Sequence, residues 1–501
     1  MQPASTVEPT APGPGEPPVE LRKVLRRRDV LALAFGAMIG WGWVVLSGTM
    51  IERAGSIGSA MAFVVGAVMV LLVGMTYAEL TSALSRAGGE LSFTYVGIGP
   101  TASFLCGWTL VLAYLAVCAF EAVALPTVVD YLIEDFSAGY LWTVAGGEVH
   151  LSWILTGVAG SLVIGAVNYL GVRLAAFVQW AAASLLFLIG LSFFVPGTVL
   201  GDTANLAPAF TTWGGFSSVV IMTPFLYLGF DVIPQVAEEI DVPFRAVGKV
   251  IFLSILLALG WYALVQWTVG VTLGQTALAN RELATADAMS VVYGSRWAGR
   301  VLVFGGLLGI LTSWNAFFIG ASRLVFAMSR AGMLPAIFSR LHPRYGSPVA
   351  VIVLITLVSM LAPLFGRPAL VWLVDAGGLA AVAGYFLVTV AFLRIRARYP
   401  SLPRPYRTPL PALVGTMAML TTVFFMLLYL PGSPSALVWP QEWVIVLAWT
   451  ALGAMFGWGT RARVMAMGRE RQAELMLGEY VEPIREMDRR RSEARVAAAG
   501  F

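Results

Sequence analysis

The stretch Gly36-Ala37-Met38-Ile39-Gly40-Trp41-Gly42 places three glycines inside an apolar run, Val30 to Ile51, that carries no charge. At about 1.5 Å per residue such a run spans roughly 30 Å of hydrocarbon as a helix. Each interior glycine nevertheless costs a helix about 1 kcal/mol relative to alanine. In lipid an interrupted helix leaves amide and carbonyl groups unpaired, which is tolerable only where they line a protein cavity or hold a ligand. The competing reading is a small-residue stripe that lets a neighbouring helix pack closely. The rest of the chain decides between them.

The 501 residues are 58% hydrophobic and only 12% charged, which marks a polytopic membrane protein, expected to be all-α. A net charge of +4, with basic residues gathered in particular connections, offers no face for nucleic acid. Cys106 and Cys118 lie in one apolar run, and His150 and His342 are far apart, so no metal ligand set is expected. Residues 1–20 are too poor in large apolar side chains to order and read as a disordered tail. Five basic residues between Leu21 and Arg28 then abut the first span.

Twelve spans follow, at about 29–50, 56–83, 97–134, 151–171, 174–199, 214–238, 244–273, 296–330, 347–366, 368–396, 408–431 and 440–460. With both termini cytoplasmic, about 26 of the 32 Lys and Arg residues fall on cytoplasmic segments, as the positive-inside rule requires. Span 3 is too long for a simple crossing and is expected to tilt, to bend near Pro126 or to extend beyond the bilayer. Span 6 reads Met222-Thr223-Pro224-Phe225-Leu226-Tyr227-Leu228-Gly229-Phe230-Asp231-Val232-Ile233-Pro234, with two prolines, a glycine and a carboxylate at mid-depth. A break is expected there, because proline removes an amide and clashes with the preceding turn. Spans 1 and 6 each open a block of five. Paired broken helices in corresponding positions point to a transporter with inverted repeats and a site between them.

These residues resemble the amino acid-polyamine-organocation superfamily of secondary transporters. Gly36 to Gly42 is similar to its first-span motif, and Thr76 to Leu80 with Arg86 to Glu90 to its second-span ending and loop. Leu228 to Asp231 with Ala237 to Glu239 resembles its sixth span. Trp314 to Ala316, Ala321 to Arg323 and Arg330 to Pro335 resemble the eighth span and its exit, and Arg404 to Pro409 the stretch before span 11. The resemblance, which covers about residues 29–460, implies two inverted five-helix repeats, 29–199 and 214–396, and two accessory helices within 408–460; composition and charge give a basic N-terminal segment 1–28 and a cytoplasmic tail 461–501, read as an interfacial helix or as a solvated helix with a weak apolar face. The resemblance also implies a cell-membrane location. Two departures stand out. Trp41 and Trp43 replace residues that are commonly small and aliphatic, and Leu174 to Gly201 lacks the lysine with which some proton-coupled members fill a sodium position.

Around a break in span 1, the amides of Gly40, Trp41 and Gly42 would open a half-helix whose positive end suits a substrate carboxylate. Ile39 completes the interrupted stretch. Carbonyls freed near Met38, Phe225 and Leu228 would accept an ammonium group, as the resemblance also implies. Phe225, by its offset from Gly229, is a candidate lid over the site or a packing residue. Asp231 is read as a site or proton group, against a helix-capping role. Glu121, on span 3, has three open roles: it meets a cationic substrate end, carries a proton, or bonds a neighbouring helix. Thr312 and Ser313 could complete a sodium shell or simply bond the preceding turn. Asp375 is expected to cap a break in span 10. Glu79 and Arg323 form an inner gate or are solvated at the interface.

The expected activity is secondary active transport of an amino acid, with a polyamine or other organic amine as the alternative substrate. No cofactor is expected, and a proton or sodium gradient supplies the driving force. An ion channel or a membrane-embedded enzyme is the rival class. A channel favours a filter built from several subunits, and an enzyme needs a nucleophile with its base or a metal.

Overall fold

A computed structural model describes residues 25–241, 243–278 and 283–499. The N-terminal tail expected to be disordered lies outside them. Among the described residues the named secondary structure is helical, apart from the antiparallel hairpin β1 (Tyr140–Val144) and β2 (Gly147–His150).

Span 1 is three short helices, α1 (Arg27–Met38), α2 (Gly42–Val45) and α3 (Ser47–Ala54). Next come α4 (Ser56–Ala83), α5 (Gly89–Gly97), α6 (Pro100–Leu132), α7 (Leu151–Tyr169) and α8 (Val172–Leu200). Span 6 is divided into α9 (Trp213–Leu226) and α10 (Val232–Gln235). The chain continues through α11 (Phe244–Thr272), α12 (Gln275–Leu278), α13 (Ala284–Tyr293), α14 (Arg296–Arg330), α15 (Val349–Leu361) and α16 (Ala369–Arg398). It ends with α17 (Pro411–Leu428), α18 (Gln441–Leu477) and α19 (Val481–Ala499).

Among the described residues ten helices are long and apolar enough to cross a bilayer, and α9 and α15 are shorter apolar helices at the positions expected for spans 6 and 9. The chain is a multi-pass membrane protein. Its polarity is arranged for lipid: Leu155, Leu188, Leu357 and Met455 are exposed, whereas Glu90, Glu121, Asp231 and Gln179 are buried. Without a hydrophobic force between helices, association rests on close packing, which glycines permit. Gly66 of α4 faces Thr223 of α9, and Gly74 faces Ile255 of α11. The most enclosed spans are α6 and α14, which pack on each other and surround the interrupted spans, while α17 and the first half of α18 lie at the periphery.

Two expectations are corrected. Asp375 caps no break, because α16 runs as one helix from Ala369 to Arg398; the carboxyl instead faces Glu442. The tail after residue 461 is not a solvated helix with a weak apolar face. Met476, Leu477, Val481 and Ile484 are buried, the Ser92 hydroxyl donates to the Met476 carbonyl at 3.0 Å, and the Ser85 amide donates to the Tyr480 hydroxyl at 3.3 Å. Long span 3 keeps its helix through Pro126.

Candidate functional site

The first interruption covers Ile39 to Trp41, between α1 and α2. Tyr262 of α11 donates its hydroxyl to the Met38 carbonyl at 2.8 Å. The Ile39 and Gly40 carbonyls face Gly309 of α14, where an added Cβ would stand 2.9 and 2.7 Å from them. Only a glycine lets α14 approach this bare backbone.

The second interruption covers Tyr227 to Asp231. Gly229 turns it with φ +140°, a conformation that disfavours any residue with a Cβ. Asp231 Oδ1 accepts the Gly229 amide at 2.8 Å, and Tyr114 of α6 donates to Oδ2 at 3.0 Å. Asp231 therefore braces the turn of span 6 and is itself held by span 3. The Phe225 carbonyl accepts the Leu228 amide at 3.2 Å, and the Phe225 ring meets the Phe120 ring edge-on at 5.6 Å and lies beside Gly377 of α16. Leu228 is buried. In this state the Met38 and Phe225 carbonyls, both proposed ammonium acceptors, are already engaged within the protein.

The two interruptions touch. A Cβ on Gly229 would lie 2.8 Å from the Met38 amide nitrogen, and one on Gly42 would overlap a methyl of Leu226. A further link lies where Leu25, just before α1, exchanges backbone hydrogen bonds with Glu239 and Asp241, just after α10.

Glu121 reaches this junction from α6. Its carboxylate faces the Trp41 backbone amide and the Ser313 hydroxyl, and its Oε1 occupies the space where a Gly40 side chain would begin. Its Oε2 is buried with no hydrogen-bond partner. A protein carboxylate thus sits at the amide pole of the half-helix. Thr312 donates to the Gly309 carbonyl one turn back at 3.0 Å, and its side chain faces Gly36. The tryptophans turn away from one another: Trp41 packs on Gly306 of α14, and Trp43 meets Trp261 of α11 edge-on at 5.2 Å.

Other members of the site were not singled out from the sequence. Gln179 of α8 donates to the Ala32 carbonyl at 3.3 Å, Asn315 of α14 donates to Gln179 at 3.0 Å, and Asn168 of α7 donates to Asn315 at 3.0 Å. These amides tie α1 to three other spans. Buried amides in otherwise apolar spans were the available signal, since each must find partners in lipid.

Several buried charges are paired. Arg323 of α14 grips Glu239 at 2.8 and 3.3 Å, and Glu238 receives Arg86 at 3.1 Å and Arg330 at 3.0 Å. Glu79 is met by Arg396 at 2.6 Å and Arg404 at 3.0 Å and accepts the Thr408 amide. Both Glu79 and Arg323 are buried, so ion pairing, not interfacial solvation, accounts for them.

The family profile described as "Amino acid permease" matches residues 25–454. The chain belongs to this family. It is 29% identical to the branched-chain amino acid permease BcaP of Bacillus subtilis (strain 168), over 81% of this chain and 88% of that protein. It is 30% identical to cationic amino acid transporter 4 of Mus musculus, over 76% of this chain and 61% of that longer protein. It is 24% identical to the aspartate-proton symporter of Bacillus subtilis (strain 168), over 79% of this chain and 77% of that protein. The family and these relatives are permeases and transporters by name, not enzymes. They place the permease within the amino acid-polyamine-organocation grouping that its motifs indicated.

Proposed function

We propose that this permease moves an amino acid across the cell membrane by alternating access, as a secondary active transporter. The observation that carries the reading is the contact between the two interrupted spans, with Gly229 set against Met38 in a chain of the amino acid permease family. Such a junction concentrates amides and carbonyls that no helix uses; in this state Glu121, Tyr262 and the Leu228 amide engage them, and a zwitterion that takes their place finds both poles matched. The buried ion pairs at the cytoplasmic end act as the inner gate, which must part for release. We read twelve spans, with inverted repeats at 29–199 and 214–396, accessory helices within 408–460 and both termini cytoplasmic.

A cationic amino acid or diamine is favoured over a neutral substrate, because the buried, partly unpartnered Glu121 carboxyl at the junction gains a counter-ion from a substrate cation and gives up its proton on pairing with it. The names of the relatives, which span branched-chain, cationic and acidic amino acids, are compatible with either class. A proton gradient acting through buried carboxyls, or sodium at Thr312, Ser313 and the carbonyls of span 1, supplies the drive.

The test is counterflow in proteoliposomes. Vesicles preloaded with unlabelled arginine, leucine or putrescine are diluted into the same labelled compound. Saturable, stereospecific exchange supports the reading. Non-saturating flux points to a channel, and chemical conversion of the label to an enzyme.

A further inference from the structure

Cytoplasmic to the span 6 turn lies a second buried network that the transport reading does not use. Gln235 of α10 donates from Nε2 to Glu90 Oε2, and the same nitrogen lies 3.4 Å from the Tyr114 hydroxyl. Tyr114 in turn donates to Asp231 Oδ2 at 3.0 Å. The network thus joins two carboxyl groups, Glu90 in the first turn of α5 and Asp231 in the turn of span 6.

Both carboxyls are fully buried. The groups that face them are Tyr77 of α4, Cys106 and Tyr114 of α6, Gln235 of α10 and Tyr385 of α16. All are neutral donors or acids. Among the described residues no lysine or arginine forms an ion pair with either carboxyl; Arg323 and Arg330 are taken by Glu239 and Glu238. Glu90 Oε1, Gln235 Oε1 and the Tyr77 and Tyr385 hydroxyls have no hydrogen-bond partner. Two negative charges without solvent or counter-ion are costly, and one proton held on the pair removes one of them and the repulsion between them. The Gln235 amide suits both conditions. With Nε2 toward Glu90 it serves a carboxylate, and turned by 180° it offers Oε1 to a carboxylic acid.

The network is tied to the gate. Gln235 precedes Glu238 and Glu239 by three and four residues, and Glu90 follows Arg86 by four. Gly89 packs on Pro234, where a Cβ would stand 2.6 Å from Pro234 Cβ. Parting Glu239 from Arg323 and Glu238 from Arg86 therefore pulls α10 away from α5 and lets cytoplasmic water reach Glu90.

We propose that Glu90, with Asp231, forms the proton-carrying site of this permease, a deepening that rests on the transport reading above. While the cytoplasmic end is closed, one proton is held on the pair. On opening, the Glu90 O–H bond breaks, the proton passes to cytoplasmic water and a carboxylate remains. The carboxylate is reprotonated through Asp231 by a proton that enters from outside with the substrate.

The full-length permease is reconstituted into sodium-free vesicles that contain a pH-sensitive dye, with labelled arginine and leucine as probes. Counterflow at equal pH reads transport alone, and accumulation driven by an acidic exterior reads coupling. The wild type is expected to accumulate at least one probe tenfold or more and to acidify the lumen as it does so. Glu90→Gln is expected to exchange within about threefold of wild type while losing both accumulation and acidification. Gln235→Met, which keeps side-chain length and removes both amide atoms, gives the same uncoupling and serves where Glu90→Gln does not insert. Glu90→Asp restores acidification in part. Wild-type-like accumulation and acidification in Glu90→Gln or Gln235→Met overturns the proposal, as does a wild type that exchanges substrate but accumulates it only when sodium is added to the external medium in a parallel assay. Absence of counterflow in the wild type removes the transport reading, and this proposal with it.

Discussion

Gly229 of span 6 lies against Met38 of span 1, so close that a Cβ on the glycine would stand 2.8 Å from the Met38 amide nitrogen. The contact joins the two points at which helical hydrogen bonding fails, and the φ of +140° at Gly229 makes it dependent on glycine twice over. Gly229→Ala must both strain the backbone, at about 1–3 kcal/mol, and push the interrupted spans apart. Expected is protein that inserts, with lowered thermal stability and at least tenfold slower counterflow. Wild-type exchange in this variant would show that the contact is dispensable.

A related prediction concerns Gly42 and Leu226. Because a Cβ on Gly42 would overlap a methyl of Leu226, Gly42→Leu should abolish uptake without preventing insertion. Two causes are separable, a blocked amide pole or a steric clash between spans. Leu226→Ala in the Gly42→Ala background relieves the clash and leaves the amides bare. Recovery of uptake assigns the defect to packing, and continued loss assigns it to the site.

The inner gate gives a prediction with a built-in reporter. Breaking a buried ion pair by removing one partner costs about 3–5 kcal/mol, because the other charge is left uncompensated. Glu239→Gln leaves Arg323 in that condition and should favour the state in which water reaches it. Cys106, buried on α6 and facing Glu90, should then become accessible to water-soluble reagents. In a Cys118→Ser background, maleimide labelling of Cys106 should accelerate at least tenfold over the parent. An unchanged rate would mean that the pair does not hold the gate.

Both interruptions were legible because their causes are local: glycine and proline act on the helix that contains them. Most helix limits were legible for a similar reason, as apolar length largely sets them, although α18 runs past the expected end at 460 to Leu477. What surrounds the breaks was not, since it depends on which helices meet. Nothing in Tyr262 announces that its hydroxyl reaches Met38, and Gly309 looks like any glycine until the carbonyls of span 1 lie against it. Asp375 misled for the opposite reason. Its Asp-Ala-Gly-Gly context is a local helix-breaking signal that tertiary packing of α16 overrides. The tail after residue 461 was opaque because its apolar residues are scattered and acquire meaning only against α5 and the end of α16.

That tail yields its own test. Asp488 of α19 accepts from Arg398 at 3.0 Å and from the Tyr399 hydroxyl at 3.0 and 3.1 Å, just beyond the end of α16. Burial, aided by the Asp488 charge, pushes the Tyr399 hydroxyl up to about 12, so it remains a donor at neutral pH. A raised folded-state value means that docking is at full strength below about pH 10 and weakens as pH rises toward 12. Asp488→Asn weakens the charge-assisted bonds and should expose α19 to trypsin at neutral pH several-fold faster than wild type. Equal cleavage rates would leave the docking to Val481 and Ile484 alone.

The strongest prediction about substrate class concerns Glu121. Its carboxylate takes the Trp41 amide and the Ser313 hydroxyl, yet Oε2 has no partner in a fully enclosed position. A group placed so invites a cation, because Coulomb attraction grows as solvent is excluded and pairing lets the carboxyl ionise, whereas an apolar ligand would leave it protonated. The rings of Trp41 and Trp43 do not contribute, since one packs on Gly306 and the other on Trp261, so no cation–π term adds to the attraction in this state. Glu121 alone then discriminates. Glu121→Gln retains the shape and the hydrogen bonds and removes the charge, which makes the comparison specific. Arginine or putrescine is expected to outcompete a neutral ligand of similar length in wild type, and the preference to fall at least tenfold in Glu121→Gln, about 1.4 kcal/mol of selectivity. Equal losses for both ligands would reduce Glu121 to a brace between span 3 and the span 1 break, and a wild type that prefers neutral amino acids would remove the charge argument altogether.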